Sequence, residues 1–197
     1  MFWQILHFPQ CEKHVFLSHS AIDRDWLVRP VFDRLKAHKA VPWVDQEDYY
    51  YGRNSRSALR DGLLSSRHVV FFVTLGMMNY KRGWCHLEAA YSEIIQCNLV
   101  AAGGNALNYD LPLFFIDQGD NAIERTIWSE MRDRGYFYRN SDGDPADWAT
   151  HKIVEFLQRE QALASQMAKV ITPGDPVHAY LRAGLVTRVT NFHPSPL

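Results

Sequence analysis

The sequence predicts an α/β fold of the flavodoxin-like type, an open five-stranded parallel sheet with helices on both faces and a short C-terminal extension. Two observations support this prediction. Short apolar runs are rich in β-branched and aromatic residues and are continuous rather than alternating, as expected for strands covered on both faces. Segments of helical periodicity separate these runs, and such alternation favours right-handed βαβ units.

The predicted strands are residues 14–17, 41–44, 68–73, 111–116 and, more weakly, 136–138. Pro42 and Pro112 lie near the starts of the second and fourth strands, where a missing N–H is tolerated.

Helical spacing of apolar residues marks the segments between the strands. The first helix has Pro30 at a kink or in its first turn, and the second follows Ser55 as a possible cap. The remaining predicted helices cover residues 84–95, residues 123–131, which end at Gly135, and the segment after Asp144, which caps a helix with a proline at its first position.

The composition is that of a soluble globular protein, with 47% hydrophobic residues, 22% charged residues and a formal net charge of −1. Charges of both signs are interleaved, so nothing indicates a nucleic-acid or membrane partner. We expect residues 1–12 to be a lead-in, residues 13–169 to form the domain, and residues 170–197 to be an extension.

The N-terminal apolar segment is too short for a signal peptide or a membrane span, which favours a cytoplasmic location. Cys11, Cys85 and Cys97 are odd in number, are widely spaced and include no CxxC pair. They predict reduced thiols rather than a metal site or a disulfide framework.

Polar residues follow the predicted strands where each strand ends. They are residues 18–20, Asp45, Thr74 and Asp117. In open α/β sheets the ligand crevice lies beyond the carboxyl ends of the strands, so these residues could line a site. The alternative is that the strands simply end in turn-forming residues.

Glu88 is the sharpest candidate for chemistry. On a helical wheel Trp84, Leu87, Tyr91 and Ile95 share one side, and Glu88 lies roughly 40° from Trp84, at the margin of this apolar stripe. A carboxylate there, after the loop 76–83, could be partly desolvated. The alternative is a structural glutamate paired with an arginine or capping an N–H.

Other chemistries lack the residues that they need. His86-Leu87-Glu88 begins like a zinc deaminase signature, but no Pro-Cys-x-x-Cys follows. Gly103-Gly104 is neither a phosphate-binding loop nor a dinucleotide fingerprint. His19 lies near no nucleophile elbow, so an acyl-enzyme route is unsupported.

Four blocks, in order, resemble a TIR (Toll/interleukin-1 receptor) domain over roughly residues 13–165. Residues 15–20 with Asp23 resemble the first box, and residues 43–45 with the loop up to Gly52 resemble the second strand and BB loop. Residues 65–74 resemble the third strand, and Trp84-Cys85-x-x-Glu88 resembles the motif around the catalytic glutamate of NAD-consuming members.

The resemblance implies roles for individual residues. Glu88 takes the catalytic position, and the substrate-binding positions fall on Trp84, His19, Ser20 and Asp45. Ser20 stands where some animal members carry an arginine near the substrate. The BB loop, which reaches a neighbouring subunit in many members, would include Tyr49, Tyr50, Tyr51, Gly52 and Arg53; local packing of one or two of these tyrosines is the alternative.

The resemblance therefore implies an enzyme that cleaves the nicotinamide–ribose bond of NAD, giving ADP-ribose or a cyclic isomer. NAD is its substrate, and no cofactor or metal is needed. The nearest analogy is with bacterial stand-alone TIR proteins of Thoeris-like anti-phage systems, whose product activates a separate effector protein. One alternative is a non-catalytic TIR scaffold that acts by self-association. Another is a flavodoxin-like or receiver-like domain, but a receiver domain requires an aspartate at the end of the third strand, where this sequence has Thr74.

Overall fold

The computed structural model describes residues 13–49, 52, 54–79, 83–101, 111–116, 136–139 and 142–170. The strands are β1 (Lys13–Ser18), β2 (Pro42–Trp43), β3 (Ser66–Val73), β4 (Leu113–Phe115) and β5 (Tyr136–Tyr138). They pair in parallel in the order β2-β1-β3-β4-β5. The predicted α/β class with a parallel sheet is confirmed.

Helices connect these strands. They are α1 (Arg29–Ala37), α2 (Asp45–Asp48), α3 (Ser55–Ser65), α4 (Leu75–Asn79), α5 (Trp84–Ala101) and α6 (Pro145–Val170). The predicted cap of α6 is present, since the Ala146 N–H donates to the Asp144 carboxylate at 2.9 Å.

The sheet is covered on both faces. On one face α1 and α6 bury Val31, Leu35 and Ile153 against β1 and β3 side chains such as Val70. On the other face α3, α4 and α5 pack over Phe16, Trp43 and Phe71. Every residue of β3 is buried, including Ser66, Arg67 and His68, and burial on both faces explains the continuous apolar run at residues 69–73.

Three connections are more regular than the sequence predicts. The chain leaves β1 through a 3-10 turn (Ala21–Asp23) and a π-helical segment (Arg24–Val28) that leads into α1. Short helices α2 and α4 occupy stretches that we expected to be loop.

The N-cap of α3 is Asn54 rather than Ser55, because the Asn54 side chain accepts hydrogen bonds from two backbone N–H groups.

The buried face of α5 is rotated from the predicted apolar stripe. Leu87, Tyr91 and Ile95 of that stripe are partly buried against the core, but Trp84 is 51% exposed, whereas Cys85, Glu88 and Ser92 are buried. Small residues face the core because α5 packs closely against α3 and the sheet. The expectation that Glu88 lies at the margin of the buried face is therefore wrong, since it lies on that face.

Some predictions fall outside the described residues: the lead-in 1–12 with Cys11, the helix 123–131, Asp117, and the extension beyond residue 170. The domain bounds therefore stay a prediction. Within the described part of the chain, none of the helices combines the length and the apolar character that a membrane span requires.

Candidate active site

A cavity of about 490 Å³ opens at the carboxyl ends of β1 and β2, beneath α2 and the first turn of α5. Its volume is in the range of small-molecule sites. Five of the residues singled out in the sequence line it together: His19, Ser20, Asp45, Trp84 and Glu88. They come from three elements that are far apart in sequence, so the fold is what assembles the site.

Glu88 is the buried carboxyl group of this cavity. Its side chain projects from the second turn of α5, and 9% of the residue is exposed. Its hydrogen-bond partner is the hydroxyl of Ser18, the last residue of β1, which donates to Oε2. Among the residues that the structure describes, no lysine or arginine forms an ion pair with Glu88.

The protonation of Glu88 is set mainly by this burial. Loss of hydration raises the pKa of the Glu88 carboxyl from 4.5 to about 7. The Ser18 hydrogen bond opposes this shift, and the negative charge of Asp45 adds to it. Glu88 can therefore exchange a proton near neutral pH, as catalytic carboxyl groups commonly do.

Cys85 lies beside Glu88, but its thiol is unreactive. Burial, reinforced by the Glu88 charge, raises the pKa of its thiol to about 12. The thiol stays protonated and donates to the carbonyl oxygen of His19 at 3.2 Å. Because the thiolate is the nucleophilic form, this geometry disfavours covalent catalysis through Cys85.

His19 is almost completely enclosed, with 4% of its side chain exposed. Its Nδ1 lies 2.9 Å from the carbonyl oxygen of Leu17. Its Nε2 lies 3.8 Å from Asp45 Oδ1 and has no hydrogen-bond partner among the described residues. The ring is therefore fixed at one nitrogen and open at the other.

Asp45 begins α2, directly after β2, and is half-exposed. Its Oδ2 accepts a hydrogen bond from Arg24 Nη2 at 2.8 Å, whereas its Oδ1 is buried and accepts no hydrogen bond from the part of the chain that the structure describes. Arg24 comes from the π-helical segment after β1 and also lines the cavity.

The other predicted site residues differ in placement. The indole of Trp84 forms part of the cavity wall at its exposed side. Ser20 is buried, and no described residue forms a hydrogen bond with its hydroxyl.

Tyr49 is the described member of the tyrosine triplet. It also lines the cavity, and its hydroxyl lies 2.9 Å from the hydroxyl of Ser55. Tyr49 therefore packs against its own chain, and its predicted part in self-association stays a prediction.

Part of the predicted BB loop and of the polar rim does not join this site. Gly52 adopts a left-handed φ of 84° but does not line the cavity, and Tyr50, Tyr51 and Arg53 lie outside the described residues. Thr74 donates instead to the buried carboxyl of Asp23, which also accepts from Trp26 Nε1 at 3.2 Å. This contact ties the turn after β1 to the end of β3.

Sequence reasoning missed two residues of the site. Ser18 was part of the predicted rim but not a partner of Glu88, and no local pattern joins residues 70 positions apart. Arg24 was not singled out. Its signal is a basic residue next to the Asp23 of the first motif, opposite an acidic residue that ends the second strand.

The comparisons with known proteins agree with this architecture. The family model of the TIR domain matches residues 15–100. The curated proteins include no match. Among solved structures, the TIR domain of the Toll-related receptor TRR-2 from Hydra magnipapillata is similar, with a TM-score of 0.50 and 12% identity. The alignment covers 73% of this chain and 97% of the receptor domain, and at this identity it shows the fold alone. The part of the chain that matches the TIR family model contains most of β1, all of β2 and β3, and most of the helix that carries Glu88.

Proposed function

We propose that this chain cleaves the nicotinamide–ribose bond of NAD and that Glu88 is its catalytic residue. One observation carries the proposal. A carboxyl group is buried at a cavity at the carboxyl ends of the strands, and in the described part of the chain its partner is a hydroxyl rather than a cation. A glutamate with only a structural role would be expected to pair with a lysine or arginine at that depth.

The reaction suits a single carboxylate. Ordinary glycosidases need a second carboxyl group to protonate an alkoxide leaving group. Nicotinamide leaves as a neutral molecule, because the electrons of the broken bond neutralise the pyridinium nitrogen. What remains is the positive charge that develops on the ribose, and the Glu88 carboxylate is suited to stabilise it.

The neighbours of Glu88 support substrate binding. Trp84 offers an aromatic surface at the cavity wall, and such surfaces exclude water from the reacting bond. His19, Ser20 and Asp45 present polar atoms to the same space. We assign all four to substrate binding.

Water that captures the ribose would give ADP-ribose, and capture by a group of the same molecule would give a cyclic isomer. The wider role that we propose is an intracellular signal for anti-phage defence, as in the Thoeris-like systems that the sequence resembles. In this role the product acts on a separate effector protein.

A scaffold that acts only by self-association is the second candidate. TIR domains generally self-associate, and the turns after β1 and β3 expose Ile22, Trp26 and Leu75. This apolar surface is compatible with assembly, and assembly is equally compatible with catalysis. It therefore favours neither function alone.

Incubation of concentrated, assembled protein with NAD tests the proposal. Chromatography should detect release of nicotinamide, and mass spectrometry of the second product distinguishes ADP-ribose from a cyclic isomer of lower mass. Glu88→Gln should release little nicotinamide. If the assembled wild-type protein releases none, the scaffold function is favoured instead.

A further inference from the structure

Next to Glu88 the cavity contains two hydrogen-bond acceptors that face each other without a donor between them. They are Nε2 of His19 and Oδ1 of Asp45, 3.8 Å apart. Both atoms are shielded from solvent, and within the described ranges of the chain neither has a hydrogen-bond partner. Buried polar atoms in folded proteins are nearly always paired, so an unpaired couple at a cavity points to a ligand.

The tautomer of His19 follows from its other nitrogen. The Leu17 carbonyl oxygen can only accept, so Nδ1 at 2.9 Å must carry the hydrogen. In the neutral ring Nε2 then has a lone pair and no hydrogen. The Nε2 atom therefore accepts a hydrogen bond from whatever occupies the cavity.

The orientation of Asp45 is fixed in the same way. Arg24 holds Oδ2 at 2.8 Å and leaves Oδ1 turned toward His19. The Arg24 guanidinium also offsets the negative charge, which makes a carboxylate tolerable beside Glu88. The hydroxyl of Ser20, buried and without a partner, is a third polar atom at this end of the cavity.

We infer that His19 and Asp45 form a recognition site for the vicinal diol of a ribose, each accepting a hydrogen bond from one hydroxyl group. At these two atoms a phosphate or carboxylate would place acceptors against acceptors, and an anion would instead be drawn to Arg24, whose buried Nε has no partner among the described residues. A diol supplies two adjacent donors, and its oxygens can in turn accept from Ser20. In dinucleotide-binding sheets an acidic residue that follows the second strand binds a ribose hydroxyl in the same manner.

This inference rests on the proposed function, because it takes the ribose from NAD. NAD contains two riboses with the same diol, one next to adenine and one next to nicotinamide. The carboxamide of nicotinamide is a competing pair of donors. Binding measurements with matched analogues separate these sources.

The test uses the full chain with Glu88→Gln, which should bind NAD without turnover. Calorimetry compares NAD with an analogue that lacks the 2′-hydroxyl of the adenine ribose and with one that lacks it on the nicotinamide ribose. One deoxy analogue should bind about tenfold more weakly than NAD, the effect of one lost hydrogen bond in a site built for it. The analogue that shows the loss identifies the ribose.

Adding Asp45→Asn should weaken NAD binding about tenfold and leave that deoxy analogue almost unchanged, so that the preference for ribose disappears. His19→Gln serves as a second variant if Asp45→Asn lowers the melting temperature so far that the protein is unfolded under the conditions of the binding measurement. The matched control is Glu47→Gln, which removes an acidic group of the same helix that pairs with Arg29 instead. The control should keep the full preference.

The outcomes distinguish the two proposals. The diol site would be overturned by a preference for ribose that survives both Asp45→Asn and His19→Gln. It would also be overturned if both deoxy analogues bind as tightly as NAD, as expected if the carboxamide occupies the two acceptors. Nicotinamide release by the wild type would still support the proposed function in that case. A diol preference without nicotinamide release would overturn the function and keep the site, and the absence of both NAD binding and nicotinamide release would overturn both.

Discussion

Glu88 occupies an environment that is costly for an ionised carboxylate. A pKa raised from 4.5 to about 7 corresponds to about 3 kcal/mol of destabilisation when the group is charged in the folded state. The Ser18 hydroxyl recovers part of this cost. Residues with no functional role rarely retain such a penalty, because a neutral side chain of the same size would remove it.

The rate of NAD cleavage should depend on the protonation of Glu88. The reaction needs the carboxylate, and the raised pKa keeps a large fraction of it protonated near pH 7. We therefore expect kcat/KM to fall about tenfold for each pH unit below roughly pH 6.5 and to level off above roughly pH 8. Initial rates of nicotinamide release across this pH range measure the dependence. A kcat/KM that stays constant down to about pH 5 would contradict the catalytic role of Glu88.

Replacing Glu88 with glutamine should stabilise the fold at neutral and alkaline pH. Between pH 4.5 and about 7 the folded state holds more protons than the unfolded state, so wild-type stability falls as pH rises through this window. The advantage of Glu88→Gln should grow over the same window to at most about 3 kcal/mol. Urea denaturation at several pH values tests this, and an advantage that does not change with pH would contradict it.

Among the elements, α3 and β2 form the wall opposite Glu88. Gly62 on α3 lies under the indole of Trp43, which stacks on Phe16 with ring centroids 4.2 Å apart. A Cβ at Gly62 would come within 2.6 Å of that indole. The helix therefore needs a glycine here, although glycine weakens a helix interior.

Gly62→Ala tests this contact. Alanine gains about 1 kcal/mol of helix propensity, but displacing the buried Trp43 ring should cost more, so we expect a net loss of about 1–2 kcal/mol. Trp43 and Phe16 line the cavity, so affinity for NAD should fall as well. Thermal denaturation against Gly83→Ala, where the nearest described atom is 3.5 Å away, provides the control. Stability equal to wild type would show that the ring moves freely.

The elements also show where sequence patterns stop being sufficient. The strands were predictable because burial on both faces leaves only apolar residues, and β5 has the predicted bounds. The most buried face of α5 was not predictable, because the helix buries Cys85, Ala89 and Ser92 more completely than Leu87, Tyr91 and Ile95, which are only partly buried against the core. The volumes of the side chains and the distance between the packed elements decide which face of the helix is buried, and a hydrophobic pattern records neither.

At the scale of the whole molecule, the sheet order explains why the site lies where it does. β1 lies between β2, at the edge of the sheet, and β3, at its centre, so the segments that leave β1 and β2 meet over one end of the sheet. His19 and Ser20 follow β1, Asp45 follows β2, and α5 brings Glu88 over the same end. The family resemblance indicated these residues individually.

The contacts inside the site could not be predicted from sequence. The bonds from Ser18 to Glu88 and from Arg24 to Asp45 join segments 70 and 21 positions apart. They depend on the parallel register of β1 and β2 and on the π-helical turn after β1, which turns Arg24 toward Asp45. Long-range pairings of single polar side chains leave no periodic signal.

The central claim is that the Glu88 carboxylate acts on bound NAD rather than holding the fold together. Its most direct test compares the kcat for nicotinamide release with the Kd for NAD in the wild type, Glu88→Gln and the control Glu93→Gln, a carboxyl group on the same helix outside the cavity. We predict that Glu88→Gln lowers kcat at least about a hundredfold while the Kd changes by less than about tenfold, and that Glu93→Gln retains both. Turnover by Glu88→Gln equal to wild type would contradict the account.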